Sequence, residues 1–251
     1  MHYAERREQI VEFIKKNGRI KAVDLSERFG VSIATARRDL TLLEKDGRIQ
    51  RTSKGIILEK RSLLELSYGQ RESRHILKKQ KIAEKALAFI KPDDRLFFND
   101  GTTVMQLARI LVKKDMPLVV MTNGLKIADA LVYNRQIHVI LIGGDLKEFS
   151  YASSGPLAEL MVSHLNADKA IISADALHPV KGICIHPIAE AMLTMKMISN
   201  AGEVLVLGDS SKLGAVATVN TCPWKNVDVL VTDDIEGPGI AQIRKAGVQV
   251  V

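Results

Sequence analysis

Several common signatures are missing from this chain of 251 residues, and each absence closes a functional class. Cysteine is scarce. Cys184 and Cys222 are the only two, and neither stands at metal-site or redox-motif spacing, so both are expected to be free thiols of a reducing compartment. No run of about 18 apolar residues occurs, so no bilayer-spanning helix is expected. The opening Met1-His2-Tyr3-Ala4-Glu5-Arg6 lacks the apolar stretch of a secretory leader. A cytoplasmic protein is the expectation. His75, His138, His164, His178 and His186 show no pairing at metal-ligand spacing, which argues against a metal site. Repeats and low-complexity tracts are also missing. What remains is a chain that is 46% hydrophobic, enough for a substantial core and long enough for two domains.

Charge is unevenly divided. The net charge is +7, yet residues 1–85 carry +9 and residues 86–251 carry −2. A basic excess confined to one third of a chain is the footprint expected for a polyanion partner. Binding to a membrane surface fits poorly, because no lysine-rich stripe opposes an exposed Trp/Leu face.

Within that basic third, three helices are expected. The first runs from about Tyr3 to Asn17, buries Ile10, Phe13 and Ile14, and stops at Gly18. The second, about Lys21 to Phe29, buries Ala22, Leu25 and Phe29 and ends at Gly30. The third opens at Ser32, a good N-cap, and ends at Gly47. Its Ala36, Leu40 and Leu43 fall on one face, leaving Thr35, Arg37, Arg38 and Thr41 on the others. Short polar residues followed by paired arginines suit a helix that enters the major groove of DNA. Residues 48–58 then alternate around Ser53-Lys54-Gly55 as a hairpin would, with Arg51 and Lys54 placed to meet phosphates. Residues 1–58 thus read as a winged helix-turn-helix. The candidate DNA contacts are Ser32, Thr35, Arg37, Arg38, Thr41, Arg51 and Lys54.

A connector is expected over residues 59–81. It holds Lys60-Arg61, an apolar patch at Leu63, Leu64 and Leu66, and a polar run from Gly69 to His75. From Ile82 to Val251 the pattern alternates helices with uniformly apolar strands, among them Leu96–Phe98, Leu118–Met121, Ile137–Ile142, Lys169–Ser173, Glu203–Leu207 and Val227–Val231. Such strands predict an α/β domain with a parallel sheet covered on both faces.

Ligands of parallel sheets bind at the carboxyl ends of the strands. Here those ends read Asn99-Asp100-Gly101-Thr102-Thr103, Thr122-Asn123-Gly124 and Gly143-Gly144-Asp145. Glycines admit close backbone approach, threonines offer hydroxyls, and the following helix N-termini favour an anion. A phosphate or polyol phosphate suits that chemistry. No Gly-x-Gly-x-x-Gly follows the first strand, so a dinucleotide is disfavoured and no cofactor is expected. Asp175 and Glu190 add carboxylates, and Lys212 a cation, to the same edge. Those groups serve either a sugar-phosphate sensor or a sugar isomerase, in which the carboxylate is base and the lysine steadies an oxyanion.

The whole chain resembles the DeoR-type sugar-catabolism regulators. The N-terminal marks are Val31-Ser32-x-x-Thr35-x-Arg37-Arg38-Asp39-Leu40, with Leu43-Glu44 and Gly47. The C-terminal marks are Arg71, Lys79-x-x-Ile82-Ala83, Gly101-Thr102-Thr103, Thr122-Asn123, Gly143-Gly144, Ser154-Gly155 and Asp209-Ser210-Ser211-Lys212-Leu213-Gly214. The resemblance implies a bacterial repressor of a carbohydrate operon with no catalytic activity. It implies a ribose-phosphate-isomerase-like sensor domain that binds a phosphorylated sugar, with Arg71 and Lys79 among the effector residues. It further implies a homodimer or homotetramer on duplex operator DNA. The chain departs from the family in three places. Asn99-Asp100 stands where Asp-x is usual, Arg51-Thr52-Ser53-Lys54-Gly55 replaces Arg-x-His-Gly-Gly, and Thr194 occupies a common lysine position. A sugar-phosphate isomerase with a basic extension is the alternative, and it has no use for the first 58 residues.

Overall fold

The computed structural model describes residues 3–45, 49–52, 55–58 and 67–251. The chain divides into two compact units, one ending at Leu66 and one beginning at Ser67.

The first unit contains α1 (Tyr3–Asn17), β1 (Arg19–Ile20), α2 (Ala22–Phe29), α3 (Ile33–Lys45), β2 (Ile49–Thr52) and β3 (Gly55–Leu58). Glycine ends α1 and α2 as expected, with Gly18 and Gly30 both left-handed. The Ser26 hydroxyl donates to the Val31 carbonyl at 2.6 Å, closing the turn between α2 and α3. Ser32 then caps α3, its Oγ accepting from the Thr35 N–H at 3.1 Å. Ile10, Ile14, Ile20, Leu25, Ala36, Leu40, Leu43, Ile49 and Ile56 form one core. Strand β1 was not expected, because two residues carry no period. It pairs Arg19 and Ile20 with Ile57 and Ile56, giving a three-stranded sheet in the order β1-β3-β2.

The second unit opens with α4 (Tyr68–Ser73) and α5 (Ile76–Leu87). This corrects the expected connector from Ser67 onward, residues 59–66 lying outside the described residues. Ser67 and Gln70 cap α4 reciprocally, Tyr68 is buried, and Lys79, Ile82 and Ala83 of α5 are buried too. Beyond them come β4 (Arg95–Phe98), α6 (Thr102–Leu111), β5 (Leu118–Thr122), α7 (Leu125–Leu131) and β6 (Ile137–Leu141). A hairpin, β7 (Asp145–Lys147) and β8 (Ala152–Ser154), precedes α8 (Pro156–Ser163) and β9 (Ala167–Ser173). Next stand β10 (Ala176–His178), β11 (Gly182–Ile185), α9 (Ile188–Ser199), β12 (Ala201–Leu207) and β13 (Val219–Cys222). The chain closes with β14 (Val229–Val231), α10 (Ile240–Lys245) and β15 (Gln249–Val250).

Seven of these strands form a wholly parallel sheet in the order β15-β14-β12-β9-β4-β5-β6. Alternate residues feed opposite faces. Phe97, Ala170, Ile172 and Val206 enter one core, and Leu96, Phe98, Ile171 and Leu205 enter the other. Chain order reverses between β4 and β9: the chain winds outward through β5 and β6, then returns on the other side. A crevice at such a reversal is where ligands of open parallel sheets bind.

Candidate functional site

Helix α3 holds its polar residues outward because Ala36, Leu40 and Leu43 are fully buried. Arg37 and Arg38 are exposed, as are Ser32 and Thr41. Asp39, between the arginines and the core, is buried and accepts from Arg6 Nε at 2.7 Å, which ties α3 to α1. Arg51 differs from expectation. Its guanidinium donates to Thr41 Oγ1 at 2.8 Å and pairs with Glu44 at 3.1 Å, so it braces β2 against α3. Thr41 is engaged in the same bond and also donates to the Arg37 carbonyl at 2.9 Å. Lys54 lies outside the described residues.

At the switch point in the second unit, Asn99 acts as a staple. Its amide donates to the Ser173 carbonyl at 2.8 Å and its oxygen accepts from the Ser173 N–H at 2.9 Å. Both ends are occupied, so Asn99 sets the spacing of β4 and β9 rather than presenting its amide to a ligand. Gly101 has a similar explanation. A Cβ there would sit 2.2 Å from Ser173 Cβ, so the glycine admits a neighbouring strand. Gly144, with φ +133°, would place a Cβ 2.6 Å from the Ser154 carbonyl oxygen. Gly143 and Gly144 follow the sheet's edge strand β6 and are exposed, and the second glycine makes room for β8. The Thr122 hydroxyl accepts from the Gly124 N–H at 3.1 Å and shapes its own turn.

Around the staple, charged groups separate into two sets. The cationic set comes from α4, α5 and the 3-10 turn Ser210–Lys212. Lys79 is buried and donates to the Arg71 carbonyl. Burial first, then repulsion from Lys212, pulls its pKa down to about 7. Lys212 donates to Ala174 O and Ser173 Oγ, and burial lowers its pKa against the pull of Asp209 and Asp175. Burial also works on Asp209, but Lys212 and the Ser211 hydrogen bonds outweigh it and hold the carboxyl below its usual range. Thr102 and Thr103 open α6 beside this set, with no side-chain cap on the helix start. Thr103 Oγ1 is buried with no hydrogen-bond partner.

The acidic set is Asp100, Asp175 and Glu190. Asp100 follows β4 and is buried; burial raises its pKa, Asp175 adds to the rise, and Arg71 opposes it. Arg71 Nη2 stands 4.0 Å from Asp100 Oδ2. Glu190, in the first turn of α9, accepts from the Ser150 hydroxyl at 2.7 Å. Burial, reinforced by Asp100, pushes its pKa up to about 8. Asp175 accepts from the His186 N–H at 2.8 Å. Asn123 donates to the Ser153 carbonyl at 3.0 Å and helps hold the Asp100 carboxyl down, while its own Oδ1 is buried and unpartnered.

Four participants were not anticipated. Ser150 and Ser153 come from the β7–β8 hairpin, whose turn is fixed by the Tyr68 N–H donating to Phe149 O at 3.1 Å. Tyr68 also packs edge-on against Tyr151 at 6.0 Å. Ser173 and Asp209 complete the group. Of these only Asp209 had a signal, in the Asp-Ser-Ser-Lys run.

Two family models match. The DeoR-like helix-turn-helix domain covers residues 6–62, and the DeoR C terminal sensor domain covers residues 74–234. The HTH-type transcriptional repressor GlcR of Bacillus subtilis is 33% identical, over 93% of this chain and 89% of its own length. The HTH-type transcriptional regulator GlpR of Haloferax volcanii is 32% identical, over 99% and 97%. The lactose phosphotransferase system repressor of Lactococcus lactis is 30% identical, over 95% and 94%. Among solved structures, ribose 5 phosphate isomerase A from Neisseria gonorrhoeae aligns over 54% of this chain and 52% of its own at 17% identity, TM-score 0.41. That likeness is too loose to bear on the site.

Proposed function

The chain belongs to the DeoR family of helix-turn-helix regulators, and from that premise we propose that it represses a carbohydrate-catabolism operon under control of a phosphorylated sugar. It is a regulator and not an enzyme. Relatives named as repressors match along nearly their whole length, and an isomerase would have no use for the first unit. The observation that carries this reading is the pairing, in one chain, of an outward Arg37-Arg38 helix with a buried cluster of charged residues at a strand switch point.

Ser32, Thr35, Arg37, Arg38 and Thr41 meet the operator, with Arg51 supporting the hairpin. The phosphate lies at Thr102-Thr103 and the start of α6, near Arg71, Lys79 and Lys212. The hydroxyls face Asp100, Asn123, Asp175 and Glu190. The chain acts in the cytoplasm. Paired half-sites in operators call for two reading helices, so a homodimer or homotetramer is the working assembly.

The test is a gel shift on the gene's own upstream region. The full chain is expected to bind, and Arg37→Ala with Arg38→Ala to cost on the order of 1–3 kcal/mol per base contact. A panel of sugar phosphates is expected to change that binding while the free sugars do not. Turnover of a pentose phosphate without any DNA shift would overturn the assignment.

A further inference from the structure

Helix α8 is apolar on both sides. Ala158 and Val162 are fully buried, while Leu157 and Leu160 are exposed, and only Glu159 and Ser163 interrupt the apolar run. A helix that is apolar all round belongs in an interior, so its outer side lacks a partner. The start of α9 repeats the pattern. Ile188 and Met192, four residues apart and so on one face, are exposed, whereas Ala191 and Leu193 are fully buried. The β7–β8 hairpin adds Leu146 and Phe149, also exposed.

These three elements adjoin. Helix α8 packs on α9, and both pack on β8. The hairpin turn is tied to α9 by the Ser150–Glu190 hydrogen bond of 2.7 Å. Gly144, just before β7, approaches α8 so closely that a Cβ there would lie 3.0 Å from Ala158 Cβ. The six apolar residues are 40% to 71% exposed. At about 200 Å² each, roughly half exposed, they present on the order of 600 Å² of apolar surface. A standard interface takes about 800 Å² from each partner, somewhat more than half of it apolar. The face is large enough for one.

The charges that border it are mixed. Asp145, Glu148 and Glu159 stand with Lys147 in the hairpin and α8, Lys196 follows in α9, and Lys126 lies 4.5 Å from the centre of the Tyr151 ring. A nucleic acid or an anionic membrane calls for basic groups alone. Three charges of each sign can instead match the same surface on a copy turned through a two-fold axis.

We propose that a second copy of this chain docks on the face formed by α8, the start of α9 and the β7–β8 hairpin, with Leu157 and Leu160 as its anchors. This rests on the assembly proposed above and assigns it a surface. It also sets the interface directly behind the effector site. Phe149 and Ile188 face outward, while Ser150 and Glu190, one and two residues along, bond to each other inside. A ligand that competes for that bond acts on elements which the second copy holds.

The experiment is sedimentation of the full chain at micromolar concentration, with operator gel shifts alongside. The wild type is expected to sediment as a dimer or larger. The double variant Leu157→Glu, Leu160→Glu is expected to sediment as a single chain with an unchanged circular dichroism spectrum, because both positions are exposed in the lone chain. Its operator affinity is expected to fall about a hundredfold, since the second reading helix is no longer tethered to the first. Ile188→Lys, on the other helix, reads the same face independently and is expected to dissociate the assembly too. Val180→Glu, at a 73% exposed apolar position outside the face, is expected to leave the assembly intact. A monomeric wild type overturns a second copy as the occupant. Variants of both helices that stay folded and assembled overturn the surface but leave the assembly standing. Both outcomes are read from mass alone, so they are told apart from a wild type that fails to shift its operator, which would strike the regulator function itself.

Discussion

The two units use charge in opposite ways. In the first, Arg37 and Arg38 are exposed to water. In the second, Lys79, Lys212, Asp100 and Glu190 are drawn out of water, and burial is the largest influence on the pKa of each. The difference follows from what is recognised. A DNA backbone is met by exposed cations that displace counterions, at little cost to the free protein. A small ligand is held by groups fixed beforehand, whose desolvation destabilises the empty fold.

The sharpest way to break this comparison is Asp39, a buried charge in the exposed-charge unit. Asp39→Ala is expected to destabilise the protein by about 3 kcal/mol, because it breaks the buried ion pair that ties α3 to α1. The neighbouring Arg37→Ala, Arg38→Ala pair should shift stability by no more than about 0.5 kcal/mol. Chemical denaturation of the variants decides; a stable Asp39→Ala would show that α3 does not depend on its buried pair.

In the second unit the comparison predicts a trough of stability. Glu190 is raised from 4.5 to about 8, so the folded chain keeps a proton that the unfolded chain has lost, and stability falls as pH climbs through that interval. Lys79 is lowered from 10.5 to about 7, so its contribution is complete above 10.5 and is lost as pH falls toward 7. Asp100 acts in the same direction as Glu190, and Lys212 in the same direction as Lys79. The melting temperature of the ligand-free chain should therefore pass through a minimum near pH 7–8. Glu190→Gln should flatten the acid-side limb and Lys79→Met the alkaline one. A monotonic profile across both intervals would contradict the burial of these groups.

Arg51 gives the smallest effect. Its exposed bonds to Thr41 and Glu44 are worth at most about 1 kcal/mol, so Arg51→Ala should barely change folding. If Arg51 only braces the hairpin, the salt dependence of operator binding should keep its slope. A drop of about one unit in that slope would mean that Arg51 leaves Glu44 for a phosphate.

Much of this could be read from sequence where a period or a cap carries information. Helices α1 to α3 announce themselves by apolar spacing and by Gly18, Gly30 and Ser32. The apolar runs at Leu96–Phe98 and Glu203–Leu207 mark parallel strands, and the loaded strand ends point to the crevice. Pairing at a distance left no such trace. The sheet β10-β11-β13 is made of strands of three or four residues, and β11 finds its partner only after an intervening helix and strand. Local patterning is silent there. Asn99 and Gly101 look like ligand contacts because polar amides and glycines suit both ligands and neighbouring backbone; only the position of Ser173 distinguishes the two. Ser150 was invisible for a similar reason, since a serine in a turn implies nothing until Glu190 lies opposite it.

Helix α4 has a practical consequence for exchanging sensors between regulators. Tyr68 and Arg71 belong to the second unit, although they precede the stretch that the sensor-domain match covers, which begins at residue 74. A chimera joined just before Ser67 transplants the whole proposed pocket. One joined at Ile82, where the helix–strand alternation first becomes visible, leaves Arg71 and Lys79 with the donor of the reading head. Such a hybrid would still recognise its operator but would answer to neither parent's sugar.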